Sequence, residues 1–202
     1  VGANEGQERD LYAEHGLSVL WVEALPTVFT ILHANLAAYP NQTAVQSLVT
    51  DRPGQRHRFH VSSNGGASSS IYDFALHRDI WPEVSYTHDV ELTSTTLDKI
   101  VNKEGVELSS INALVMDTQG SELLVLKGAG KVLRQVTYIK TEAADFESYA
   151  GSTDVKELVD YLSKRNFELI EQEPVAEHPG GGKYYELLFK RKPRSWFSWL
   201  KR

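Results

Sequence analysis

A carboxylate at the end of a predicted buried strand is the residue of this chain best placed to do chemistry. Asp117 follows the apolar residues 114–116, and Gly120 then separates it from a predicted helix over 121–127. Ligands of open α/β sheets bind outside the carboxyl ends of the strands. A carboxylate at that position can accept a proton from a reacting hydroxyl group. The alternative is that Asp117 caps the helix that follows it.

The chain opens on a glycine-rich turn that predicts a nucleotide-type site. Gly2, Asn4 and Gly6 precede a short predicted helix, and the strand-like residues 17–22 then lead to Glu23. Glycines let the backbone approach a ligand, and an acid at the tip of the second strand can accept hydrogen bonds from ribose hydroxyls. The alternative for Glu23 is a solvated acid at a strand end. The spacing lacks the G-x-G-x-x-G pattern, which disfavours a nicotinamide-dependent oxidoreductase.

The composition indicates one globular domain and excludes several classes of protein. The chain has 202 residues, 41% of them hydrophobic and none of them cysteine, which excludes a disulfide scaffold and a thiolate metal site. Six of the 21 basic residues lie beyond Glu186, so residues 1–189 hold 15 basic and 27 acidic residues, a net charge of −12. Such a body is a poor nucleic-acid surface. Without a bilayer-length apolar run or a signal peptide, we expect a cytoplasmic protein.

Predicted strands and helices alternate along the chain, which favours an α/β sandwich with a mostly parallel sheet. We predict strands at 17–23, 44–49, 114–117 and 136–142, helices at 8–15, from Pro26 to before Pro40, at 121–127 and at 154–165, and a closing antiparallel pair at 167–170 and 184–189. The pattern loosens between Arg56 and Glu91, and this insert is a natural place for substrate contacts. Because Val1 directly precedes the glycine turn, we expect the first strand to be truncated.

These residues resemble the FkbM-type S-adenosylmethionine-dependent methyltransferases, a family of class I methyltransferases. The motifs that carry the resemblance are Val-Gly-Ala-Asn-Glu-Gly-Gln at 1–7, Thr-Leu-Asp at 96–98, Met-Asp-Thr-Gln-Gly-Ser-Glu at 116–122, Leu-Lys-Gly-Ala at 126–129, and Glu142 at the end of the fifth core strand. The resemblance covers residues 1–190, which we take as the methyltransferase domain.

The resemblance implies a Rossmann-like sandwich with a seven-stranded sheet, its last strand antiparallel, and O-methylation of a hydroxyl on a sugar, glycan or secondary metabolite. S-adenosylmethionine is then the cofactor, with Gly2, Asn4 and Gly6 at its amino-acid end and Glu23 on its ribose. Asp117 would face the methyl group. Asp51 and Ser69 correspond by position alone, near the adenine side and the pocket.

Other polar residues have competing interpretations. Gln119, Glu122 and Glu142 are candidates for substrate contacts, although Glu122 also suits the positive end of a helix dipole and Glu142 could simply end a strand. A metal site is disfavoured because no histidine pair has the i, i+4 spacing beside an acid. A chain that keeps the cofactor fold but has lost catalysis, and so acts as a binding module, is the alternative from another class.

Residues 191–202 form a basic, aromatic C-terminal tail outside the resemblance. The tail combines Trp196, Phe197, Trp199 and Leu200 with five basic residues and no acid, a composition typical of interfacial membrane segments. We therefore predict peripheral association with anionic membranes. The alternative is that the tryptophans fold back over the edge of the sheet or a partner's surface.

Overall fold

The protein, described here by a computed structural model over residues 1–193, is an α/β structure of nine strands and six α-helices within that range. In chain order the elements are α1 (Arg9–Glu14), β1 (Val19–Glu23), α2 (Pro26–Asn35), β2 (Gln42–Gln46), β3 (Leu48–Val49), β4 (Arg56–Ser62), α3 (His77–Ile80), β5 (Tyr86–Thr95), α4 (Leu97–Lys103), β6 (Ala113–Met116), α5 (Glu122–Lys127), β7 (Tyr138–Ala144), α6 (Val155–Ser163), β8 (Phe167–Glu177) and β9 (Lys183–Arg191). Short 3-10 turns cover Leu108–Ser110 and Val132–Arg134.

The strands form three sheets with mixed directions. β1 pairs with β2 in parallel, β5 lies between β3 and β4, and a four-stranded sheet has the order β6-β7-β9-β8. Half of the six pairings are antiparallel: β4 with β5, β7 with β9, and β8 with β9. The predicted α/β class is confirmed, but the strands do not form one mostly parallel seven-stranded sheet. The difference arises because β4, which the insert supplies, pairs antiparallel with β5, and β9 pairs antiparallel with both β7 and β8.

The first three residues connect two of these sheets. The Val1 nitrogen donates to the Val115 carbonyl at 2.8 Å, and the Asp117 amide donates to the Val1 carbonyl at 3.0 Å. On the other side, the amides of Gly2 and Ala3 both donate to the Val22 carbonyl. Residues 1–3 therefore lie between β6 and β1, and they place the glycine turn beside the carboxyl ends of both strands.

Alternating burial along β6 shows why these residues form a strand against a helical layer. Leu114 and Met116 are buried, whereas Ala113 and Val115 are exposed, the period of two that a strand with one packed face requires. The buried face belongs to the largest apolar cluster, which includes Leu126 of α5. Burial of this cluster holds the strand ends in place.

Several boundaries differ from the sequence prediction. β7 covers Tyr138–Ala144 and not 136–142, so Glu142 lies two residues before the end of its strand. The predicted strand 44–49 is divided, because β2 ends at Gln46 and β3 begins at Leu48. The closing strands are longer than predicted and form a hairpin whose turn contains Gly180–Gly182. The insert carries β4, α3 and part of β5.

The structure bears on the predictions about membranes only within residues 1–193. No helix within residues 1–193 is long and apolar enough to cross a membrane. Of the predicted tail, residues 191–202, Arg191 belongs to β9 and not to a separate segment, and residues 194–202 lie outside the described residues.

Candidate active site

The glycine turn is fixed to the end of β1 by one buried carboxylate. Gly2, Asn4 and Gly6 have φ angles of +72°, +45° and +72°, a region that glycine enters without strain. The Asn4 amide donates to Glu23 Oε2 at 2.9 Å, and the Leu25 amide donates to Oε1 at 2.8 Å. The Glu23 carboxylate therefore stabilises the backbone conformation of the turn, in which three residues have positive φ angles.

Glu23 keeps hydrogen-bonding capacity after these contacts. Its side chain is 7% exposed, and burial raises the pKa of its carboxyl while the backbone donors oppose that shift. Each carboxylate oxygen can accept two hydrogen bonds and accepts one from these amides. The structure thus gives Glu23 a role within the turn, while its predicted contact with a ribose stays a prediction.

The loop after β6 presents Asp117 through a chain of side-chain hydrogen bonds. Gln119 has a φ angle of +52°, and its Nε2 donates to Asp117 Oδ1 at 2.5 Å. The Tyr149 hydroxyl donates to Gln119 Oε1, and the Ser70 hydroxyl donates to the Gln119 carbonyl at 2.7 Å. Ser121 occupies the N-cap position of α5, so Asp117 is not the helix cap that the alternative interpretation required.

Glu122 lies beneath this loop. Its side chain is 2% exposed, and Oε1 accepts hydrogen bonds from the amides of Thr118 at 2.9 Å and Gly120 at 3.2 Å. Burial, followed by the nearby charge of Asp117, raises the pKa of Glu122 to about 7. Its position supports the loop, and it is not among the residues that line the cavity described next.

A cavity of about 440 Å³ opens at the carboxyl ends of β6 and β7, and we call it the strand-end cavity. Its walls combine residues from the insert, the loop after β6, β7 and β9. They are Ser63, Asn64, Ala67, Ser68, His77, Trp81, Glu83, Val84, Asp117, Gln119, Glu142 and Tyr184. The cavity therefore brings together three of the predicted site residues, Asp117, Gln119 and Glu142.

Of the three carboxyl groups on the cavity wall, those of Asp117 and Glu142 come from neighbouring strands, and the charge of Asp117 acts on Glu142. Burial raises the pKa of Glu142 to about 8, with further contributions from the charges of Asp117 and Glu186. The Asp117 side chain is open to the cavity, yet the surrounding protein raises the pKa of its carboxyl, and the hydrogen bond from Gln119 opposes that shift. Because like charges at one site are not easily ionised together, burial and the nearby charge of Asp117 favour the protonated form of Glu142 near neutral pH.

An aromatic cluster forms the wall contributed by the insert and β9. The His77 ring lies 4.6 Å from Phe74, 4.7 Å from Trp81 and 5.1 Å from Tyr149, measured between ring centroids. Trp81 meets Tyr184 edge to face at 5.7 Å. The cavity wall therefore combines carboxyl groups with apolar ring surfaces, which is the usual composition of a site for an organic ligand.

Backbone and side-chain contacts hold this wall in place. The His77 amide donates to the Ser148 carbonyl at 3.0 Å, and Phe74 forms an isolated bridge with Tyr149. At the tip of the β8–β9 hairpin, His178 Nε2 lies 2.9 Å from Asp79 Oδ2 on α3. The wall is thus attached to the segment after β7 and to the hairpin.

The remaining predicted residues lie apart from the cavity wall. Ser69 accepts a hydrogen bond from the Ser62 amide at 3.0 Å, inside a serine-rich loop whose neighbours Asn64 and Ser68 do reach the cavity. Asp51 forms an exposed ion pair with Arg52 at 3.6 Å. These contacts test neither the predicted role of Asp51 near the adenine nor that of Ser69 near the pocket.

Sequence reasoning missed His77, Trp81, Glu83 and Tyr184 as wall residues. The prediction that the segment 56–91 supplies substrate contacts is consistent with its large share of the wall. The available signal was the density of aromatic residues and histidine between positions 72 and 86. Within residues 1–193, no group of three or more histidine or acidic side chains is arranged to hold a metal ion.

Comparison with known proteins assigns the family. A model of the methyltransferase FkbM domain matches residues 1–169. The chain belongs to the FkbM methyltransferase family. A curated relative, 2-O-methyltransferase NoeI of Sinorhizobium fredii (strain NBRC 101917 / NGR234), is 27% identical over 182 residues, which cover 86% of this chain and 73% of the relative.

The family assignment confirms the resemblance found in the sequence and indicates a methyltransferase. The FkbM match includes the glycine turn, Glu23, Asp117 and Glu142, and it ends within β8. Tyr184, on β9, lies beyond the matched residues. The cavity wall of this FkbM-family chain is therefore completed by a strand outside the region that defines the family.

Proposed function

We propose that this FkbM-family protein is an S-adenosylmethionine-dependent O-methyltransferase that methylates a hydroxyl of a sugar, glycan or similar polyol. The observation that carries the proposal is the position of Asp117, which lines the cavity while its backbone contacts the glycine turn. A Cβ atom placed on Gly2 would lie 1.7 Å from the Asp117 carbonyl oxygen. Cofactor turn and acceptor carboxylate are thus neighbours. The name of the relative, a 2-O-methyltransferase, supports oxygen as the acceptor atom.

The residues of the turn fit the cofactor. Gly2, Asn4 and Gly6 would hold its amino-acid end, and the lone pairs of Glu23 that the backbone leaves free would accept from the ribose hydroxyls. When bound, the cofactor supplies a methyl group on a positively charged sulfur. Displacement at that methyl requires the acceptor oxygen in line with it, so positioning is the main task of the protein.

Asp117 performs the proton transfer in this proposal. Its carboxylate would accept the proton of the acceptor hydroxyl as the oxygen–carbon bond forms and the methyl–sulfur bond breaks, with S-adenosylhomocysteine as the leaving group. Gln119 orients the carboxylate through the bond to Oδ1, and Tyr149 in turn fixes Gln119. Glu142, protonated near neutral pH, can donate a hydrogen bond to a neighbouring oxygen of the acceptor.

The chemistry of the strand-end cavity favours a carbohydrate or related polyol. Carboxyl, amide and serine side chains supply hydrogen-bond partners for several hydroxyl groups, and Asp117, Glu142 and Asn64 are among them. The faces of Trp81 and Tyr184 offer apolar surface for the C–H groups of a sugar ring. A purely apolar metabolite would displace water from the carboxyl groups and leave them without partners, which is costly.

Methyl transfer to a glycan array tests the proposal. The full chain is incubated with S-adenosylmethionine carrying a tritiated methyl group, and label on glycans is counted after washing. Calorimetry with S-adenosylmethionine, S-adenosylhomocysteine and NAD accompanies it. We expect binding of the first two, no binding of NAD, and label on a defined set of glycans. Cofactor binding without any label would indicate a binding module or another acceptor class.

A further inference from the structure

His77 is the buried side chain of the cavity wall that the proposed reaction leaves unused. It is 2% exposed, and its Nδ1 is enclosed without a hydrogen-bond partner. Across residues 1–193 the ring makes no side-chain hydrogen bond and no ion pair. A polar atom buried in this way typically costs about 1–3 kcal/mol.

Packing does not account for a histidine at this position. The ring is surrounded by the rings of Phe74, Trp81 and Tyr149, where a phenylalanine would make the same contacts without an unpaired nitrogen. Replacing an unpaired polar group by an apolar group of similar shape is neutral or stabilising. Stability of the fold therefore gives no reason for an imidazole at position 77.

The ring is neutral, and its proton can be assigned. Burial lowers the pKa of His77 to about 4, although the charge of Glu83 opposes the shift. A bare ring nitrogen without a partner is more easily tolerated than a buried N–H without one, so we place the proton on Nε2. His77 is a residue of the cavity wall, and of its two ring nitrogens only Nδ1 is fully enclosed, so Nε2–H is the polar group that a ligand can reach.

We infer that His77 donates a hydrogen bond through Nε2 to an oxygen of the acceptor, from a part of the wall that the insert supplies. This inference rests on the proposed function and makes it more specific. Asp117 and Glu142 come from the sheet, whereas His77 comes from the insert. The acceptor then carries a second oxygen beside the hydroxyl that is methylated, as a pyranoside does, and His77 selects for it.

Glycoside binding to the His77 variants tests the inference. The full chain is saturated with S-adenosylhomocysteine and titrated with methyl α-D-glucopyranoside, methyl α-D-mannopyranoside and methyl α-D-galactopyranoside, followed by saturation-transfer NMR. We expect binding of at least one glycoside. His77→Phe should weaken that affinity about three- to tenfold, as the loss of one hydrogen bond predicts. His77→Gln, whose amide reaches toward the position of Nε2, should recover most of it.

The controls separate binding from folding and from the parent proposal. His57→Phe is the matched control, because His57 Nε2 is also buried without a partner but lies outside the cavity wall; its glycoside affinity should equal that of the unmodified chain. Thermal unfolding and calorimetry with S-adenosylhomocysteine are run on each variant. Equal glycoside affinity of His77→Phe and the unmodified chain would overturn the inference, as would the absence of glycoside binding. If S-adenosylhomocysteine itself does not bind, the methyltransferase proposal fails as well.

Discussion

Asp117 is the residue whose charge, rather than shape, the proposed reaction requires. Asp117→Asn keeps Oδ1 as an acceptor for Gln119 Nε2, so the loop and the glycine turn should stay in place. Turnover should fall by roughly 10²–10⁴, because the proton acceptor is lost. Turnover is measured by transfer of the labelled methyl group, and S-adenosylhomocysteine affinity by calorimetry.

The matched control for that variant is Asp160→Asn, which removes an exposed carboxylate from α6. It should retain normal turnover. A nearly normal rate for Asp117→Asn, with folding intact, would restrict Asp117 to a role in the loop.

Glu122 should make the stability of the fold depend on pH. Its pKa is raised from 4.5 to about 7 in the folded chain, so the folded state binds the proton more tightly than the unfolded state. The resulting stabilisation is complete below about pH 4.5 and is lost as the pH rises through about 7, by up to about 3 kcal/mol. Glu122→Gln should flatten this loss.

Urea unfolding at about pH 5 and about pH 8 measures the effect of Glu122. Glu168→Gln, an exposed change on β8, is the control and should leave the pH dependence as it is. If the free energy of unfolding of Glu122→Gln changes with pH as much as that of the unmodified chain, other carboxyl groups of the site cause the pH dependence.

At the scale of the element, the glycine turn is held in place by its close approach to the loop after β6. Gly2→Ala combines a positive φ angle with a Cβ atom 1.7 Å from the Asp117 carbonyl oxygen. Gly16 has a similar φ of +65° but nothing within 4 Å of its Cβ position. Gly16→Ala should therefore cost only the conformational strain, about 1–2 kcal/mol.

Gly2→Ala should cost distinctly more than Gly16→Ala, and it should weaken S-adenosylhomocysteine binding as well, since the turn must move. Chemical denaturation and calorimetry of both variants make the comparison. Equal losses of stability would mean that the turn tolerates displacement and that its contact with Asp117 is not tight.

The elements that could be predicted are those whose signal is local. The apolar residues before Asp117, the helix with Leu158 and Leu162 on its buried face, and the turn at Gly180–Gly182 each rest on short-range periodicity or backbone chemistry. Sheet partners are not local. The pairing of β4 with β5 joins segments some thirty positions apart in the sequence, and no periodicity within either strand reveals it.

The same distinction between local signals and long-range contacts applies to the residues of the cavity wall. Asp117 was predictable because it directly follows β6, and Glu142 because it lies near the end of β7, two residues before Ala144. The carboxyl ends of neighbouring parallel strands share an edge of a sheet. His77 and Tyr184 reach the cavity through a one-turn helix and the second strand of a hairpin. Their positions depend on long-range packing, which cannot be predicted from local sequence patterns.

At the scale of the whole molecule, the excess of acidic residues affects the pKa of a carboxyl group in the candidate site. The pKa of Glu142 is raised to about 8 by burial and by Asp117, Glu186 and Glu122, which come from separate elements. We expect kcat/KM to fall as the pH rises through about 8, because Glu142 then loses the proton with which it holds the acceptor. Glu142→Gln keeps an N–H donor without a titrating proton, and it should lack that fall.

The pH profile of kcat/KM in both forms, taken with the same glycan acceptor, is the measurement. Persistence of the fall in Glu142→Gln would mean that a different group titrates there. Glu186→Gln provides a graded control: it removes one of the charges that raise the pKa of Glu142, so the fall should begin at lower pH.

The central position of β9 in its sheet has a consequence for synthesis of the chain. β9 separates β7 from β8, although it is the last of the three to leave the ribosome. Until Arg191 has emerged, β7 and β8 each present an open edge, and such edges pair readily with other chains. Chaperone binding should therefore be needed longest between the synthesis of β8 and that of β9. Because Tyr184 is part of β9, a nascent chain that already contains Asp117 and Glu142 still lacks one part of its cavity wall during this time.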